Sequence, residues 1–162
     1  MAGDFFLKLG DIKGESDRSG EIGTFEIQGW GFGAANNMQF TTSSGGMATG
    51  RGDVQELSLQ KQSDTADPQL WASCLTGKIH PTATLHGYRT GGNKSVKYLA
   101  FKMTNVAITH LSVSGADGAG LPMLSIGLAY QKIQWTQTKL NEDGTPGDTI
   151  VEAWDVSSVE SK

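Results

Sequence analysis

Four side chains in the middle of the sequence are of types that bind zinc, namely Cys74, His80, His86 and His110. The Cys74-x5-His80-x5-His86 spacing matches no common zinc site, because structural zinc normally uses closely spaced ligand pairs. A fourth ligand does not follow from the pattern either. We therefore predict no metal site and no cofactor, and interpret Cys74 as a small buried apolar residue.

Hydrolytic chemistry has no recognisable motif in this sequence. The Gly-x-Ser-x-Gly arrangement of a nucleophilic serine is absent, and the serines at 43–44 precede two glycines in what reads as a flexible turn. The nearby carboxylates Glu15, Asp17 and Glu21 form no known hydrolase pair, and we interpret them as a solvated acidic loop. The sequence predicts that the protein is not an enzyme.

Charge and hydropathy exclude several classes of partner. The formal net charge is −4 and no run of Lys or Arg exists, so no nucleic-acid partner is expected. No stretch of about 18 apolar residues occurs, so we expect no membrane insertion. The first eight residues lack the basic and apolar regions of a secretory leader, and the single cysteine suits folding in a reducing cytosol. Export would then use a route without a cleaved leader.

The glycine content favours an all-β fold. Twenty-two of 162 residues are glycine, against a usual share of about 7%. Seven or eight segments carry alternating apolar residues, and several carry them on both faces. Such strands suit a closed barrel or two packed, mainly antiparallel sheets whose outer faces are also covered, for example by a partner subunit. We expect one domain over residues 1–162.

Two segments of this pattern change phase. In residues 22–33 the apolar face moves from Phe25 and Ile27 to Trp30 and Phe32, which predicts a bulge or bend near Gly29. In the segment 124–139 the apolar face switches between Tyr130 and Ile133. Both changes indicate strands that bend.

One short helix is predicted over Pro68–Thr76. Asp67 suits the N-cap, Pro68 the first helical position, and Gly77 the left-handed residue that ends a helix. The apolar residues then fall on one stripe, which we expect to lie on a sheet. The stripe comprises Leu70, Trp71, Cys74 and Leu75.

Residues 36–53 form a long, polar, glycine-rich segment that we expect to be structureless. Such segments inside a compact domain are often functional. It contains Arg51-Gly52-Asp53, the integrin-binding tripeptide, which we interpret as a chance match in a glycine-rich loop.

Nine short motifs follow one another along nearly the whole chain, namely Asp11–Ser16, Trp30–Gly33, Asp67–Leu70, Ser73-Cys74, Gly77-Lys78, Arg89–Gly92, Tyr98-Leu99, Ser112–Gly115 and Trp154-Asp155. Each motif is weakly specific alone, but in their order and spacing they resemble the haemolysin-coregulated (Hcp) family of bacterial type VI secretion. Three positions depart from the family pattern, with Glu21 in place of the usual histidine, Phe32 in place of a second Trp, and Gly31 in place of a serine.

The resemblance implies a structural role. Hcp proteins fold as a β-barrel of two sheets with a helix on one side, and six copies form a ring. Rings stack into a hollow tube inside a contractile sheath, a spike protein caps the tube, and small effector proteins ride in the lumen. The tube is assembled in the cytoplasm and then secreted.

Two groups of residues are the candidates for this role. Methionine suits adaptable contacts, so we expect the glycine-rich segment to be an arm that packs on the next ring. Small residues on strand 22–33 suit a surface that faces the lumen and its cargo. The predicted ring-stacking residues are Met38, Gln39, Ser44, Gly45, Gly46, Met47 and Arg51, and the predicted lumen-facing residues are Gln28, Gly29, Trp30 and Gly31. A phage tail-tube-like protein and a monomeric β-sandwich that binds sugar or peptide remain the alternatives.

Overall fold

The described part of the chain consists of one helix and twelve strands. The computed structural model describes residues 4–36, 38–40, 47–48, 52–91 and 94–157. The helix α1 spans Asp67–Thr76. The strands are β1 (Asp4–Leu9), β2 (Phe25–Ile27), β3 (Gly29–Gly31), β4 (Ala34–Asn36), β5 (Gln39–Phe40), β6 (Met47–Ala48), β7 (Gly52–Val54), β8 (Leu57–Gln62), β9 (His80–Gly91), β10 (Lys94–Ser114), β11 (Met123–Leu140) and β12 (Pro146–Asp155).

Eight of these strands form one antiparallel sheet that folds over into two layers. The first layer holds β2, β1, β9, the first part of β10, the second part of β11, and β12. The second layer holds the remaining parts of β10 and β11, then β8 and β3. The amide of Gln28, between β2 and β3, donates to the carbonyl of Gln60 at 2.8 Å, which brings the two ends of the sheet together. The predicted all-β barrel with one flanking helix is confirmed.

The two layers meet at a corner formed by Asn105 of β10 and Gln131 of β11. Asn105 has a φ of 52°, in the left-handed region that few residues other than glycine adopt. Its Nδ2 donates to Gln131 Oε1 at 2.5 Å across the strand pair. Both strands change their buried face here, so that the core residues are Leu99, Phe101 and Met103 then Val106 and Ile108 on β10, and Leu124, Ile126, Leu128 and Tyr130 then Ile133 on β11. The phase change predicted for β11 is confirmed.

The bend predicted near Gly29 is also confirmed. It separates β2, which pairs with β1, from β3, which pairs with β8. The chain therefore crosses from one layer to the other at this point, and Phe25 and Ile27, which share one face as predicted, are buried.

Aromatic rings pack around Phe101 where the two layers face each other, and Trp135, which is 44% exposed, lies at the margin of this cluster. Phe101 is fully buried, and its ring centroid lies 5.4 Å from that of Trp30 and 5.3 Å from that of Trp135. Phe5 extends the cluster through an edge contact with Trp30 at 5.7 Å. Such edge and tilted contacts add to the free energy gained by burying the rings.

The helix ends as predicted but begins differently. Gly77 has a φ of 66°, and its amide donates to the carbonyls of Cys74 and Ser73. The prediction that Asp67 is the N-cap is wrong, because Ala66 precedes the helix and Asp67 is its first residue. The Asp67 carboxylate instead accepts hydrogen bonds from Lys61, Ser63 and the amide of Asp64.

The predicted buried stripe of α1 is wrong in its direction. Leu70 is buried and Cys74 is half-buried against the core, but Trp71 and Leu75 are 57% and 67% exposed. The buried face passes through Ser73 instead, because its hydroxyl lies 2.7 Å from Nε2 of the fully buried His80. Because Ser73 faces His80, Trp71 and Leu75 lie on the solvent side of the helix.

The glycine-rich segment is not structureless within the described residues. Ala34–Asn36 pairs with Gly52–Val54, and Gln39-Phe40 pairs with Met47-Ala48. These two short antiparallel ladders form a hairpin, which we call the arm.

Candidate assembly surfaces

Strand β12 forms an edge of the first layer and carries exposed apolar side chains. Its described ladder runs along β11 on one side only. Ile150 and Trp154 lie on the same face as Trp135 of β11, and these three side chains are 69%, 48% and 44% exposed. Edge strands that expose apolar side chains together with unpaired backbone groups are suited to pairing with another chain.

Among the residues that the structure describes, the second layer also has two open edges. On one side lies β3, which pairs with β8. The other edge is formed by residues 107–114 of β10, which follow the last residue of β10 that pairs with β9. Because these edges differ, a contact that joined one to the other in a second copy would be heterologous.

The outer face of this second layer carries mainly small side chains, together with His110, which pairs with Gly127, and Glu56, whose carboxylate lies 3.9 Å from His110. Gly29 and Gly31 pair with Gln60 and Ser58, which in turn pair with Ser125 and Gly127. A Cβ placed on Gly31 would meet no heavy atom within 4 Å. The face is therefore open at Gly31 on β3, whereas the His110 ring lies over Gly127 on β11.

The four predicted lumen residues do not share one surface. Gly29 and Gly31 lie on this outer face, and Gln28 is exposed at the bend before them. Trp30 points the other way and packs against Phe5 and Phe101 in the core. Gly29 and Gly31 consequently expose their backbone on the outer face, and the side chain of Trp30 between them anchors this strand in the core.

The arm begins beside the β12 edge. Tyr130 donates a hydrogen bond to the carbonyl of Gln55 at 2.6 Å, and the Gln55 amide donates to Gly33 at 2.8 Å. A Cβ on Gly52 would lie 3.9 Å from the Trp154 ring. These contacts place the arm, the β12 edge and β3 on the same flank of the barrel.

The predicted ring-stacking residues fall partly on the arm. Met38 is 52% exposed, Gln39 opens β5, and Met47 pairs with Phe40. Ser44, Gly45, Gly46 and Arg51 lie outside the described residues.

The prediction of a solvated acidic loop is wrong for Glu21, which is 4% exposed. Its Oε1 lies 2.6 Å from His86 Nδ1 and accepts a hydrogen bond from the Tyr88 hydroxyl, also at 2.6 Å. Burial, then the hydrogen bond to Glu21 and its charge, raise the pKa of Tyr88 to about 12. The loop is thus fastened to the outer face of β9.

Arg18 strengthens this fastening. Its guanidinium carbon lies 4.6 Å from the centroid of the Tyr88 ring and 5.0 Å from that of Phe6, and Nη1 lies 2.7 Å from Asp4 Oδ2. A cation held over two aromatic rings and paired with a carboxylate orders the loop over β1.

The side chains first considered as zinc ligands have separate partners. His80 contacts Ser73, His86 contacts Glu21, and His110 lies 3.9 Å from Glu56. Burial, with a smaller contribution from Lys78, lowers the pKa of His80. Among the described residues, no three His, Cys, Asp or Glu side chains come together as metal ligands do.

These features define an all-β barrel protein with one flanking helix and a projecting hairpin arm. The chain belongs to the Hcp family of type VI secretion proteins. The family model described as type VI secretion system effector, Hcp, matches residues 6–137. In the described residues, no helix has the length and apolar character needed to cross a membrane.

Individual relatives agree with the family over almost the whole chain. Protein hcp1 of Pseudomonas aeruginosa is 29% identical over 157 residues, which cover 96% of each chain. A solved type six secretion system protein superposes with a TM-score of 0.90 at 27% identity, covering 96% of both chains. Hcp1 from Salmonella typhimurium superposes with a TM-score of 0.77 at 26% identity, covering 96% of this chain and 95% of that one.

Proposed function

We propose that this protein is the structural tube subunit of a bacterial type VI secretion system. Copies join side by side into hexameric rings, and rings stack into a hollow tube. A contractile sheath surrounds the tube, a spike protein caps it, and small effector proteins travel inside. The observation that carries the proposal is that the second layer has two different open edges, β3 and residues 107–114 of β10, and an outer face with mainly small side chains.

The outer face of the second layer would form the wall of the lumen. If β3 of one copy lies beside residues 107–114 of β10 in the next, the second layers of all copies join into one inner wall. Gly31, Ser58 and the His110 ring that covers Gly127 then line the channel. A wall of mainly small side chains leaves room for a folded cargo, and Glu56 beside His110 adds a charged group to it.

The arm suits contacts between rings. It projects from the flank of the barrel as a hairpin and exposes Met38, whose flexible side chain adapts to different surfaces. Axial contacts made only by arms are weaker than contacts along whole strands. A delivered tube would then separate into rings and release its cargo.

Negative-stain electron microscopy of the purified protein tests the proposal. We expect annular particles, and short stacks at high protein concentration. Deleting residues 44–50 should keep the rings and abolish the stacks. A wild-type sample without annular particles would overturn the proposal, and loss of rings in the deletion variant would overturn the role given to the arm.

A further inference from the structure

The solvent side of α1 carries an apolar stripe that nothing in the described fold covers. Trp71, Leu75 and Ile79 recur every four residues and are 57%, 67% and 64% exposed. Residues four apart lie on one side of a helix, so Trp71 and Leu75 form a continuous surface that Ile79 extends. We call these three residues the helix stripe.

The second exposed apolar group is the β12 face, which consists of Trp135, Ile150 and Trp154. It lies across the sheet from the helix stripe. Lys78, beside the stripe, is 3.9 Å from Asp11, which follows β1, whereas β12 is the opposite edge of the same layer. Strands β9, β10 and β11 separate β1 from β12, a distance of about 19 Å at the usual strand spacing.

We propose that the helix stripe of one copy binds the β12 face of the next copy in the ring. This inference rests on the tube function proposed above. A heterologous ring needs two different, complementary surfaces on opposite flanks of each copy, and these two groups meet that requirement. Burying both would remove from water two of the large apolar clusters that a single copy exposes.

The charges beside the two surfaces are complementary. Lys78 follows Leu75 and is 55% exposed, and its ammonium group lies 3.9 Å from the more exposed Asp11. Glu152 lies between Ile150 and Trp154 and is exposed. Glu152 also pairs with Trp135, so it lies in the middle of the β12 face, and docking the stripe there brings Lys78 towards this carboxylate, which fixes the register of the interface.

The helix stripe and the β12 face lie on the same two flanks as the open edges of the second layer. The β12 face adjoins the arm through Trp154 and Gly52, on the flank where β3 ends. On the other flank, Ser73 of the helix contacts His80, which pairs with Val106, where the second part of β10 begins. One side-by-side contact therefore satisfies both pairs of surfaces at once.

Reciprocal charge reversal tests the pairing. We expect Lys78→Glu and Glu152→Lys each to raise the protein concentration at which rings are half-assembled, because each places like charges together. The double variant should restore assembly to near the wild-type concentration. If the single variants assemble as wild type does, or if the double variant is no better than either single one, the pairing is wrong.

Apolar substitutions provide a second, independent test. Trp71→Ser combined with Leu75→Ser should raise the half-assembly concentration by about tenfold or more, as loss of a buried interface tryptophan does. Ile22→Ser is the matched control, since Ile22 is 78% exposed but belongs to neither surface. Circular dichroism verifies that each variant is folded. Equal assembly of the paired variant and the control would overturn this inference, whereas a wild type without rings would overturn the tube function itself.

Discussion

The ammonium group of Lys61 lies 2.7 Å from Asp67 Oδ1 in the interior, where it links β8 to the first residue of α1. Lys61 is 1% exposed and occupies the buried face of β8 together with Leu57 and Leu59. Its Nζ also lies 3.3 Å from Asp64 Oδ1 and donates to the carbonyl of Gln62. The buried ammonium group of Lys61 thus forms ion pairs with both Asp64 and Asp67.

Replacing that cation should destabilise the fold strongly. We expect Lys61→Met to lower the free energy of unfolding by about 3–5 kcal/mol, because it leaves two buried carboxylates without a positive partner. Lys132→Met is the matched control. Its ion pair with Asp155 is 57% exposed at the lysine, so its loss should cost no more than about 1 kcal/mol. Urea unfolding at one fixed protein concentration measures both, and equal costs would contradict the role of Lys61.

The same cluster predicts an acid dependence. Burial alone would raise the pKa of Asp67, but hydrogen bonds from Lys61, Ser63 and the Asp64 amide lower it below its ordinary value of 3.8. Its contribution to stability is therefore complete above pH 3.8 and is lost as the pH falls through the lowered value. Asp67→Asn should cost stability at neutral pH, and the difference from wild type should shrink on acidification. A difference that is constant from pH 7 to pH 2 would contradict this assignment.

Asp64 provides a control, because its pKa is shifted in the opposite direction from that of Asp67 and the expected pH dependence is therefore reversed. Burial raises its pKa despite the hydrogen bond from the Ala66 amide and the charge of Lys61. The folded protein then holds this proton to a higher pH than the unfolded chain does, so the contribution of Asp64 falls as the pH rises through that range. Asp64→Asn should therefore become relatively less costly, not more costly, at neutral pH.

Two tyrosines predict an alkaline transition. Burial raises the pKa of Tyr130 to about 12, with a smaller effect of the charge on Glu56, and Tyr88 has a similar value. Unfolded tyrosines ionise near 10, so the free energy of unfolding should fall as the pH rises from 10 to 12. Absorbance titration at alkaline pH checks this. Tyr88→Phe and Tyr130→Phe should each remove one late-ionising phenol, and a protein whose tyrosines all ionise near 10 would contradict the prediction.

Gly14 leaves no room for a side chain. A Cβ there would lie 2.4 Å from the carbonyl oxygen of Thr24, and a backbone atom cannot move aside cheaply. Gly14→Ala should lower the free energy of unfolding by about 1–3 kcal/mol. Gly31→Ala is the matched control, because nothing lies within 4 Å of its added Cβ. Thermal unfolding compares the two, and equal midpoints would show that the contact is relieved without cost.

The inner wall can be located by adding bulk. We expect Gly31→Trp to leave rings intact and to narrow their central opening, because its side chain would point into the channel. Thr82→Trp, an exposed position on the outer face of the first layer, should leave the opening unchanged. End-on class averages of stained rings measure the opening. An unchanged opening in the Gly31 variant would place another face on the lumen.

Local patterns in the sequence predicted much of the fold. The bend near Gly29 and the face change between Tyr130 and Ile133 follow from alternation, which reports burial directly. Gly77 marks the end of α1 because a left-handed residue is required there. The repeat Leu57-x-Leu59-x-Lys61 also contained the signal for a buried lysine, since position 61 continues the buried face of β8.

Contacts between distant segments could not be predicted in the same way. Glu21 is buried because it meets His86, 65 residues later, on the outer face of β9. Ser73, and not Trp71, faces inward because a hydrogen bond to His80 compensates its burial. Periodicity describes apolar faces, and it does not show which polar side chains will find partners across the fold.

Sedimentation equilibrium of the purified protein measures directly whether copies of the chain assemble into rings. We expect a discrete species of six times the chain mass of 17.2 kDa, in equilibrium with smaller species as the protein is diluted. A single species of 17.2 kDa that persists at the highest concentrations would contradict it, since the open edges and exposed apolar faces would then have no copy of the chain to cover them.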